Sequence, residues 1–210
     1  MKYLTLLLPA LLWAAGLGAQ CAQILNSPTS ENLTALHFSS ASEGMVVAED
    51  GQLWSTSNGG GSWQLSDLRT SVLMNAIESR SGGTAWAAGP RGILRTRQGG
   101  SPSWQQQFSP FGADWYGLDF RNTTHGLLAG SCGALLRTTD GGTVWEWSNS
   151  STSETLRTVR WLDATRALAA GDAGVLLRTT DGGQSWSATG PGISGQWLAL
   201  ASRGAEAWGS

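Results

Sequence analysis

Leu176-Leu177-Arg178-Thr179-Thr180-Asp181-Gly182-Gly183-Gln184-Ser185-Trp186 is a stretch that recurs along this chain and decides its fold. It returns closely at 135–145, more weakly at 53–63, and most weakly at 93–104, where the alignment needs one extra residue before the tryptophan. The four closing tryptophans follow one another at intervals of 41 residues. A period of about 40 residues with short apolar runs predicts the blades of a β-propeller.

The residue types of the repeat predict a β-hairpin turn that is held by its own side chains. Asp or Asn in a turn accepts hydrogen bonds from backbone N–H groups just ahead of it. Glycine takes the positive φ that a tight turn needs, and the tryptophan lays an apolar face over the turn. The residues assigned to this structural role are Asn58, Gly60, Trp63, Trp104, Asp140, Gly142, Trp145, Asp181, Gly183 and Trp186.

The pattern Ser/Thr-x-Asp-x-Gly-x-Thr/Ser-Trp resembles the Asp-box of BNR (bacterial neuraminidase) repeats. The copy at 179–186 fits every defined position. The copy at 138–145 departs at Val144, and the copy at 56–63 carries Asn58 in place of Asp. The copy at 93–104 departs most, with Gln98 and the extra residue. Such turns are evidence for the fold and need no ligand.

Runs of about five residues between turn-forming clusters predict four strands in each unit. The sequence therefore predicts an all-β propeller of four-stranded Asp-box blades. Their first strands are centred on Leu36, Ile77, Leu118, Val159 and Leu198. The domain divides into four complete repeats and half of a fifth, at about 33–69, 70–110, 111–150, 151–191 and 192–210.

The number of repeats raises the question of closure. Propellers close with about four to eight blades, so we expect this chain to be a fragment of a six- to eight-bladed ring. Two alternatives are a small ring in which residues 22–32 pair with the last blade, and closure by dimerisation.

The N-terminus is typical of an exported protein. Residues 1–19 combine a positive start, an apolar run and the small residues Leu17-Gly18-Ala19, which is the pattern of a cleaved signal peptide. A polar lead-in, 20–32, follows. We expect a periplasmic, extracellular or cell-surface location, with no stable membrane span after cleavage. Lipidation at Cys21 is the weaker alternative, because Gln20 fits a lipobox poorly.

Composition excludes several functions. The net charge is −2 and Lys2 is the only lysine, so no basic surface for nucleic acid is expected. The two cysteines, Cys21 and Cys132, and the two histidines, His37 and His125, form no metal-ligand pattern. No metal or cofactor is predicted. The cysteines could form a disulfide in an oxidising compartment, or stay unpaired.

The compact unit G-x-L-L-R-T-T-D-G-G-x-x-W, with its A-A-G strand, resembles the photosystem II assembly/stability factor-like BNR proteins from about residue 33 onward. That resemblance implies a non-catalytic propeller that binds a protein partner. Sialidases and sortilin-like receptors share the box, so a glycoside hydrolase fragment, a cell-surface adhesion module and a carbohydrate ligand remain alternatives. A sialidase needs a tyrosine nucleophile in a set with acidic residues, and Tyr116 is the only tyrosine after the leader.

A binding patch is predicted on the face opposite the boxes, where the loops between second and third strands meet the entries to the first strands. Binding residues concentrate in loops on rigid scaffolds. One repeat position there changes from unit to unit, as Thr34, Asn75, Tyr116, Arg157 and Gln196. The predicted binding residues are Asn75, Arg91, Tyr116, Arg157 and Asp172; the alternative is ordinary loop variation.

Overall fold

The computed structural model of the protein describes residues 3–5, 24–66, 68, 71–99, 101, 103–107, 109, 112–190, 194–203 and 206–209. The predicted leader, 1–19, lies outside these residues except for β1 (Tyr3–Thr5), which pairs antiparallel with β2 (Ile24–Asn26) of the lead-in. Cys21 also lies outside them. Within the described ranges, no helix is long and apolar enough to span a bilayer.

Four antiparallel sheets follow, each a meander of four strands that are consecutive in sequence. Blade 1 contains β3 (Leu33–Phe38), β4 (Gly44–Ala48), β5 (Leu53–Thr56) and β6 (Gln64–Ser66). Blade 2 contains β7 (Ala76–Ser79), β8 (Ala85–Ala88), β9 (Leu94–Arg97) and β10 (Gln105–Gln106). Blade 3 contains β11 (Trp115–Phe120), β12 (Gly126–Gly130), β13 (Leu135–Thr138) and β14 (Glu146–Trp147). Blade 4 contains β15 (Leu156–Trp161), β16 (Ala167–Gly171), β17 (Leu176–Thr179) and β18 (Ser187–Ala188).

A fifth unit contributes a two-stranded sheet, β19 (Leu200–Arg203) and β20 (Glu206–Gly209). Single-turn 3₁₀ helices, Ser131–Gly133 and Asp172–Gly174, join the second and third strands of blades 3 and 4. The first strands of successive units contact one another, β3 with β7, β7 with β11, β11 with β15 and β15 with β19. This is the arrangement of propeller blades whose first strands lie innermost, so the predicted all-β fold of Asp-box blades is confirmed.

The apolar core lies between consecutive blades. One cluster joins blades 1 and 2, a second joins blades 2 and 3, and a third joins blades 3 and 4. At the middle joint the indole of Trp86 stacks on the ring of Phe120, with centroids 3.6 Å apart, and Phe120 meets Trp145 edge to face. The repeat therefore buries its apolar face only against a neighbouring repeat.

The box turn of blade 4 shows how the motif holds itself together. Thr179 Oγ1 donates to Asp181 Oδ1 at 2.7 Å and accepts the N–H of Gly183 at 3.0 Å. The carboxylate of Asp181 then accepts the N–H groups of Gln184 and Ser185, each at 3.0 Å. One buried hydroxyl and one carboxylate thus satisfy the backbone donors that the turn leaves unpaired.

The departures in the other boxes are tolerated for identifiable reasons. Asn58 still accepts the N–H of Ser62 at 2.8 Å, and its amide also donates to Ser62 Oγ at 2.9 Å. Val144 keeps its backbone bond to Asp140 Oδ1 at 3.0 Å, while its side chain is exposed. The side-chain oxygen of the box Asp or Asn therefore depends more on backbone N–H donors than on a hydroxyl at the position before the tryptophan.

The boxes of blades 3 and 4 also bind the preceding blade through the carbonyl groups of their glycine pairs. Trp86 of blade 2 donates its indole N–H to the carbonyl of Gly141 in blade 3 at 2.8 Å. Ser148 of blade 3 donates its hydroxyl to the carbonyl of Gly183 in blade 4. A self-contained turn thus becomes a joint between blades.

Two sequence-based alignments are wrong. The first strand of the fifth unit begins at Leu200, and Leu198, its predicted centre, is 65% exposed while Leu200 is buried. The box of blade 2 has no extra residue before its tryptophan. Its third strand begins at Leu94, and Arg97 pairs with Ala85 as Thr56 pairs with Gly44.

We expect Gly183→Ala to destabilise the protein more than Gly182→Ala, as measured by urea unfolding. Both residues have positive φ, +85° and +76°, so alanine costs each about 1–2 kcal/mol. A Cβ at Gly183 would also stand 2.7 Å from Leu127 Cδ2 of blade 3, whereas one at Gly182 meets nothing within 4 Å. Overpacking should add about 1 kcal/mol or more at Gly183. Equal losses would show that the joint is not tightly packed.

We expect the stability advantage of the wild type over Asp181→Asn to disappear in acid. The Ser185 hydroxyl, with the Thr179 hydroxyl and backbone N–H groups, lowers the pKa of Asp181 from 3.8 to about 2 in the folded protein. A lowered pKa stabilises the fold above the unfolded-state value and loses that effect as the pH falls through the folded value. In urea unfolding, the difference in unfolding free energy between the two proteins should stay constant from pH 7 to about pH 4 and then shrink towards pH 2. A difference that is undiminished at pH 2 would contradict the assignment.

Candidate functional site

The two faces of the blade array carry different groups. Because strands alternate in direction, the Asp-box turns lie on the same face as the turns between first and second strands. In blades 3 and 4 these turns are joined by hydrogen bonds of 2.8 Å, from Gly141 N to Thr124 O and from Gly182 N to Thr165 O. We call this the box face. The opposite, loop face carries the loops between second and third strands and the links between blades.

On the loop face, part of the predicted patch forms one cluster. Arg157 donates two hydrogen bonds to the carboxylate of Asp172, at 2.6 and 2.9 Å, and lies 5.3 Å from the ring centroid of Tyr116. Gln196 donates to the same carboxylate at 2.6 Å. The hydrogen bond from Arg157 lowers the pKa of Asp172 and, in turn, raises the pKa of Arg157. The structure therefore brings these four residues together across blades 3 and 4 and the fifth unit.

The other two predicted patch residues, Asn75 and Arg91, form hydrogen bonds elsewhere on the same face. Asn75 donates its amide to the carbonyl of Trp115 at 2.8 Å, as Thr34 donates its hydroxyl to Met74 O. Arg91 takes a positive φ of 54°, and its N–H donates to Asp114 Oδ1 at 2.8 Å. Variation at Thr34 and Asn75 therefore has a structural meaning, since each side chain bonds to the next blade. Binding at the patch remains a prediction.

On the box face, the inner strands carry a row of ionisable residues at one repeat position. His37, Glu78, Asp119 and Arg160 follow one another at intervals of 41 residues. His37 Nε2 lies 3.2 Å from Glu78 Oε1, and Arg160 Nη1 lies 2.9 Å from Asp119 Oδ1. Each pair joins two successive blades. The row was not among the sequence-predicted sites, although the same 41-residue alignment that defines the boxes would have found it.

Asp119 is the most constrained member of this row. Its side chain is 5% exposed, and its second oxygen accepts the backbone N–H of Trp161 at 2.6 Å. Burial raises the pKa of Asp119, while the guanidinium of Arg160 opposes that shift. Arg80, whose Nη1 lies 2.7 Å from Glu78 Oε1, also favours the charged form of Asp119. Both oxygens of Asp119 are thus occupied by the joint between blades 3 and 4.

A cavity of about 460 Å³ opens beside this row. Three arginines and an indole contribute to its wall, and turns of blades 3 and 4 complete it. Its lining residues include Arg80, Asp119, Arg121, Arg160, Trp161 and Asp163. Since these residues lie on inner strands or directly after them, the blade packing fixes their positions.

Arg121 differs from the other two arginines of the cavity. Arg80 and Arg160 each face a carboxylate, whereas Arg121 forms no ion pair with any residue that the structure describes. Its Nε is buried without a hydrogen-bond acceptor in that same part of the chain, and its guanidinium lies 5.2 Å from the Trp161 ring centroid. The cavity therefore holds a cation whose hydrogen-bond donors are not all used. Burial, and then the positive charges of Arg121 and Arg137, lowers the pKa of the nearby His125.

The described residues offer no cluster suited to a metal ion, and the Asp163 carboxylate of the cavity is engaged in its own turn. Within the described ranges, no group of three or more His, Cys, Asp or Glu side chains could hold a metal ion. Cys132 is exposed and free. Asp163 accepts the N–H groups of Thr165 and Arg166 and the side chain of Arg166, and these hydrogen bonds hold the pKa of Asp163 far below its usual range. It closes the turn between β15 and β16.

These observations define an Asp-box β-propeller of the BNR type. Its sequence over residues 100–193 matches the family model described as "Photosynthesis system II assembly factor YCF48", and the chain resembles that family. The matched segment covers blades 3 and 4 and includes Arg121, Arg160 and Trp161. No curated protein sequence matches the chain significantly.

Solved structures share the fold. YCF48 from Cyanidioschyzon merolae aligns with a TM-score of 0.68 and 18% identity, over 88% of this chain and 66% of that one. YCF48 bound to D1 peptide gives 0.67 and 16%, over 87% and 62%. An ancestral GH74 enzyme gives 0.64 and 17%, over 77% and 24%. The chain thus spans about two thirds of the length of these YCF48 proteins, and identities this low concern the fold alone.

We expect Asp119→Ala and Arg121→Gln to differ strongly in their effect on stability. Asp119→Ala leaves the Trp161 N–H and the Arg160 guanidinium without their acceptor, so urea unfolding should show a loss of about 3 kcal/mol. Arg121→Gln removes only a contact with an aromatic ring, so it should cost about 1 kcal/mol or less. A large loss for Arg121→Gln would mean that this arginine is structural and not available to a ligand.

Proposed function

We propose that this protein is an exported, non-catalytic β-propeller module that binds a protein partner, in the manner of an assembly or stability factor. The observation that carries the proposal is the Arg121 guanidinium, which lies beside the Trp161 ring in the box-face cavity with no acid partner among the described residues. We assign its partner group as a carboxylate of a bound protein segment.

The chemistry of Arg121 favours a carboxylate. A guanidinium presents its donors in a planar fork that matches a carboxylate, and hydrogen bonds between two charged groups are stronger than neutral ones. The Nε of Arg121 is already removed from water, so part of the desolvation cost precedes binding. Arginine and tryptophan are also the residue types that most often dominate protein interfaces. A protein segment with one acidic group fits this site.

The residues that line the cavity favour binding over catalysis. Asp119 and Arg160 hold each other across two blades, and Asp163 closes a turn, so the carboxylates of the cavity are engaged in structure. A preorganised cavity lowers the cost of ordering the interface on association. The match of residues 100–193 to the YCF48 assembly-factor family supports the same class of function, and one YCF48 structure is bound to a D1 peptide.

Export is proposed from the N-terminal sequence. Residues 1–19 have the charged start, apolar run and small-residue cleavage site of a secretory leader. N-terminal sequencing of the protein from its source should therefore begin near Gln20. A sequence that begins at Met1 or Lys2 would contradict processing and with it the exported location.

The second candidate function is glycoside hydrolysis. An ancestral GH74 enzyme shares the fold, and the cavity contains two carboxyl groups whose pKa values are shifted in opposite directions, raised for Asp119 by burial and lowered for Asp163 by hydrogen bonds. Such pairs occur in glycosidases. Against it, both carboxylates have structural partners. Hydrolysis of a panel of fluorogenic glycosides, lost in Asp163→Asn, would establish the enzyme.

We expect Arg121→Gln to lose a protein partner that the wild type retains. Tagged full chains would be produced in the source organism, and the proteins that co-purify with each would be quantified by mass spectrometry. Loss of one charge-assisted contact should reduce recovery of the true partner roughly ten- to hundredfold.

Arg178→Gln is the matched control, because it also removes one positive charge, but from an exposed residue of blade 4 outside the cavity. The partner should bind this variant as it binds the wild type. The same set of proteins at the same recovery with Arg121→Gln would contradict the site. Equal loss with both variants would attribute binding to net charge and not to the cavity.

A further inference from the structure

Blade 2 departs from the other three blades at two positions that lie close together. The first is the box threonine. Thr56, Thr138 and Thr179 are buried and pair across the sheet with Gly44, Gly126 and Ala167. The equivalent pair in blade 2 is Arg97 with Ala85. An arginine therefore replaces the hydroxyl that closes the box turn elsewhere.

The second departure is the last residue of the first strand. This position is aromatic in blades 1, 3 and 4, as Phe38, Phe120 and Trp161, and is Ser79 in blade 2. In blades 1 and 3 the ring covers the glycine opposite, so closely that a Cβ on Gly44 or Gly126 would lie within 2.6 Å of it. Blade 2 lacks the ring and so leaves this volume unfilled by its own side chains.

The two departures line one cavity of about 180 Å³ between blades 1 and 2. Its wall is unusually polar: serine hydroxyls surround it, and Arg97, Arg80 and Glu43 bring the charges. The serines are Ser39, Ser55, Ser57, Ser62 and Ser79. A void left by a lost aromatic ring would ordinarily be apolar. This one is lined by hydrogen-bonding groups and one replaced residue is a cation, so the cleft offers donors to a polar or anionic ligand.

Arg97 is held in place and only partly satisfied. Its Nε donates to the carbonyl of Gly83 at 3.2 Å, and its guanidinium lies 5.6 Å from the ring centroid of Trp104. No ion pair of Arg97 occurs within the described part of the chain. Burial lowers the pKa of Arg97 and the charge of Glu43 opposes that shift. The stacked, anchored guanidinium therefore lines the cavity with unused donors.

We propose that this cleft, centred on Arg97 and Ser79, is a second binding site that takes a single carboxylate group. The charges select this class. Arg80 is already paired with Glu78, so Arg97 is the one cation of the wall without an acid partner among the described residues, and Glu43 disfavours a doubly charged anion. Serine hydroxyls supply further donors to the carboxylate oxygens. Among the residues that the structure describes, no aromatic side chain lines the cleft.

The site stands on residues other than those of the proposed function, although Arg80 lines both cavities. The carboxylate can belong to an acidic side chain of a protein or to a small free acid. Butyrate represents the free acid, and acetyl-Gly-Glu-Gly-amide represents the protein side chain. Butyramide and the corresponding Gln peptide are the uncharged counterparts of these two probes.

Binding would be followed on the full chain by the NMR signal of the Arg97 Nε–H, assigned by its loss in Arg97→Lys. We expect butyrate or the Glu peptide to shift this signal with saturation, and each amide counterpart to bind at least about tenfold more weakly. Tighter binding of the peptide assigns the site to a protein side chain, and tighter binding of butyrate assigns it to a free acid. No shift with either, or equal shifts with the amides, would overturn the proposal.

Two variants and one control separate binding from folding. Arg97→Thr places the residue type of the other three blades at the box position, and Ser79→Phe fills the cleft with the ring that blades 1 and 3 carry. Calorimetry with whichever probe binds more tightly should show that the binding affinity falls by about tenfold or more in each variant that still unfolds cooperatively. Arg121→Gln should leave this affinity unchanged, even if it abolishes partner binding. Undiminished affinity in a folded variant would refute the site.

Discussion

The hydrogen bond between the box threonine hydroxyl and the N–H of the second box glycine is the interaction on which the rest of this structure depends. It closes the turn at 2.9–3.0 Å in blades 1, 3 and 4 and fixes both glycines at positive φ. In that conformation the glycine carbonyls face the preceding blade, where Trp86 and Ser148 donate to them. A local turn therefore helps to set the position of the neighbouring blade, and three of the four blades contain such a turn.

The inner strands impose a second requirement, because charges buried at one repeat position must balance between blades. Glu78 and Asp119 are each almost fully buried, and an unpaired carboxylate there would be costly. His37 and Arg160 approach them from the outer blades of the array, and Arg80 stands at the join between the two acids. With the acids neutralised inside the array, Arg121 is left as the cation without a partner in its cavity.

Much of the fold could be predicted because each repeat contains a turn whose characteristic residues can be recognised in the sequence. Thr179, Asp181 and Gly183 have roles that depend on neighbours a few residues away, and the 41-residue spacing then aligns every strand. The two errors arose where that local chemistry is missing. Blade 2 has no Thr-x-Asp to align, so Arg97 was placed one position out of register, and Leu198 looked like a strand centre until burial showed that Leu200 takes that place.

The candidate site was less predictable, because its properties depend on contacts between blades. Variation at Asn75 looked like a binding signal, yet its amide bonds to the next blade. In the sequence Arg121 is one arginine among many, because the sequence does not show which arginines form ion pairs with acidic residues. Comparing units at each repeat position, as for His37, Glu78, Asp119 and Arg160, would have shown the charged row without any structure.

The order of that row also limits how the array could change its length during evolution. The residue at this position differs from blade to blade, so the blades are not interchangeable copies. A tandem duplication of blade 3 would bring a second Asp119 against the first, two buried acids with one Arg160 between them. Removal of blade 3 would instead set Glu78 opposite Arg160, a pair of opposite sign. The charges at these joints thus favour the loss of blade 3 over its duplication.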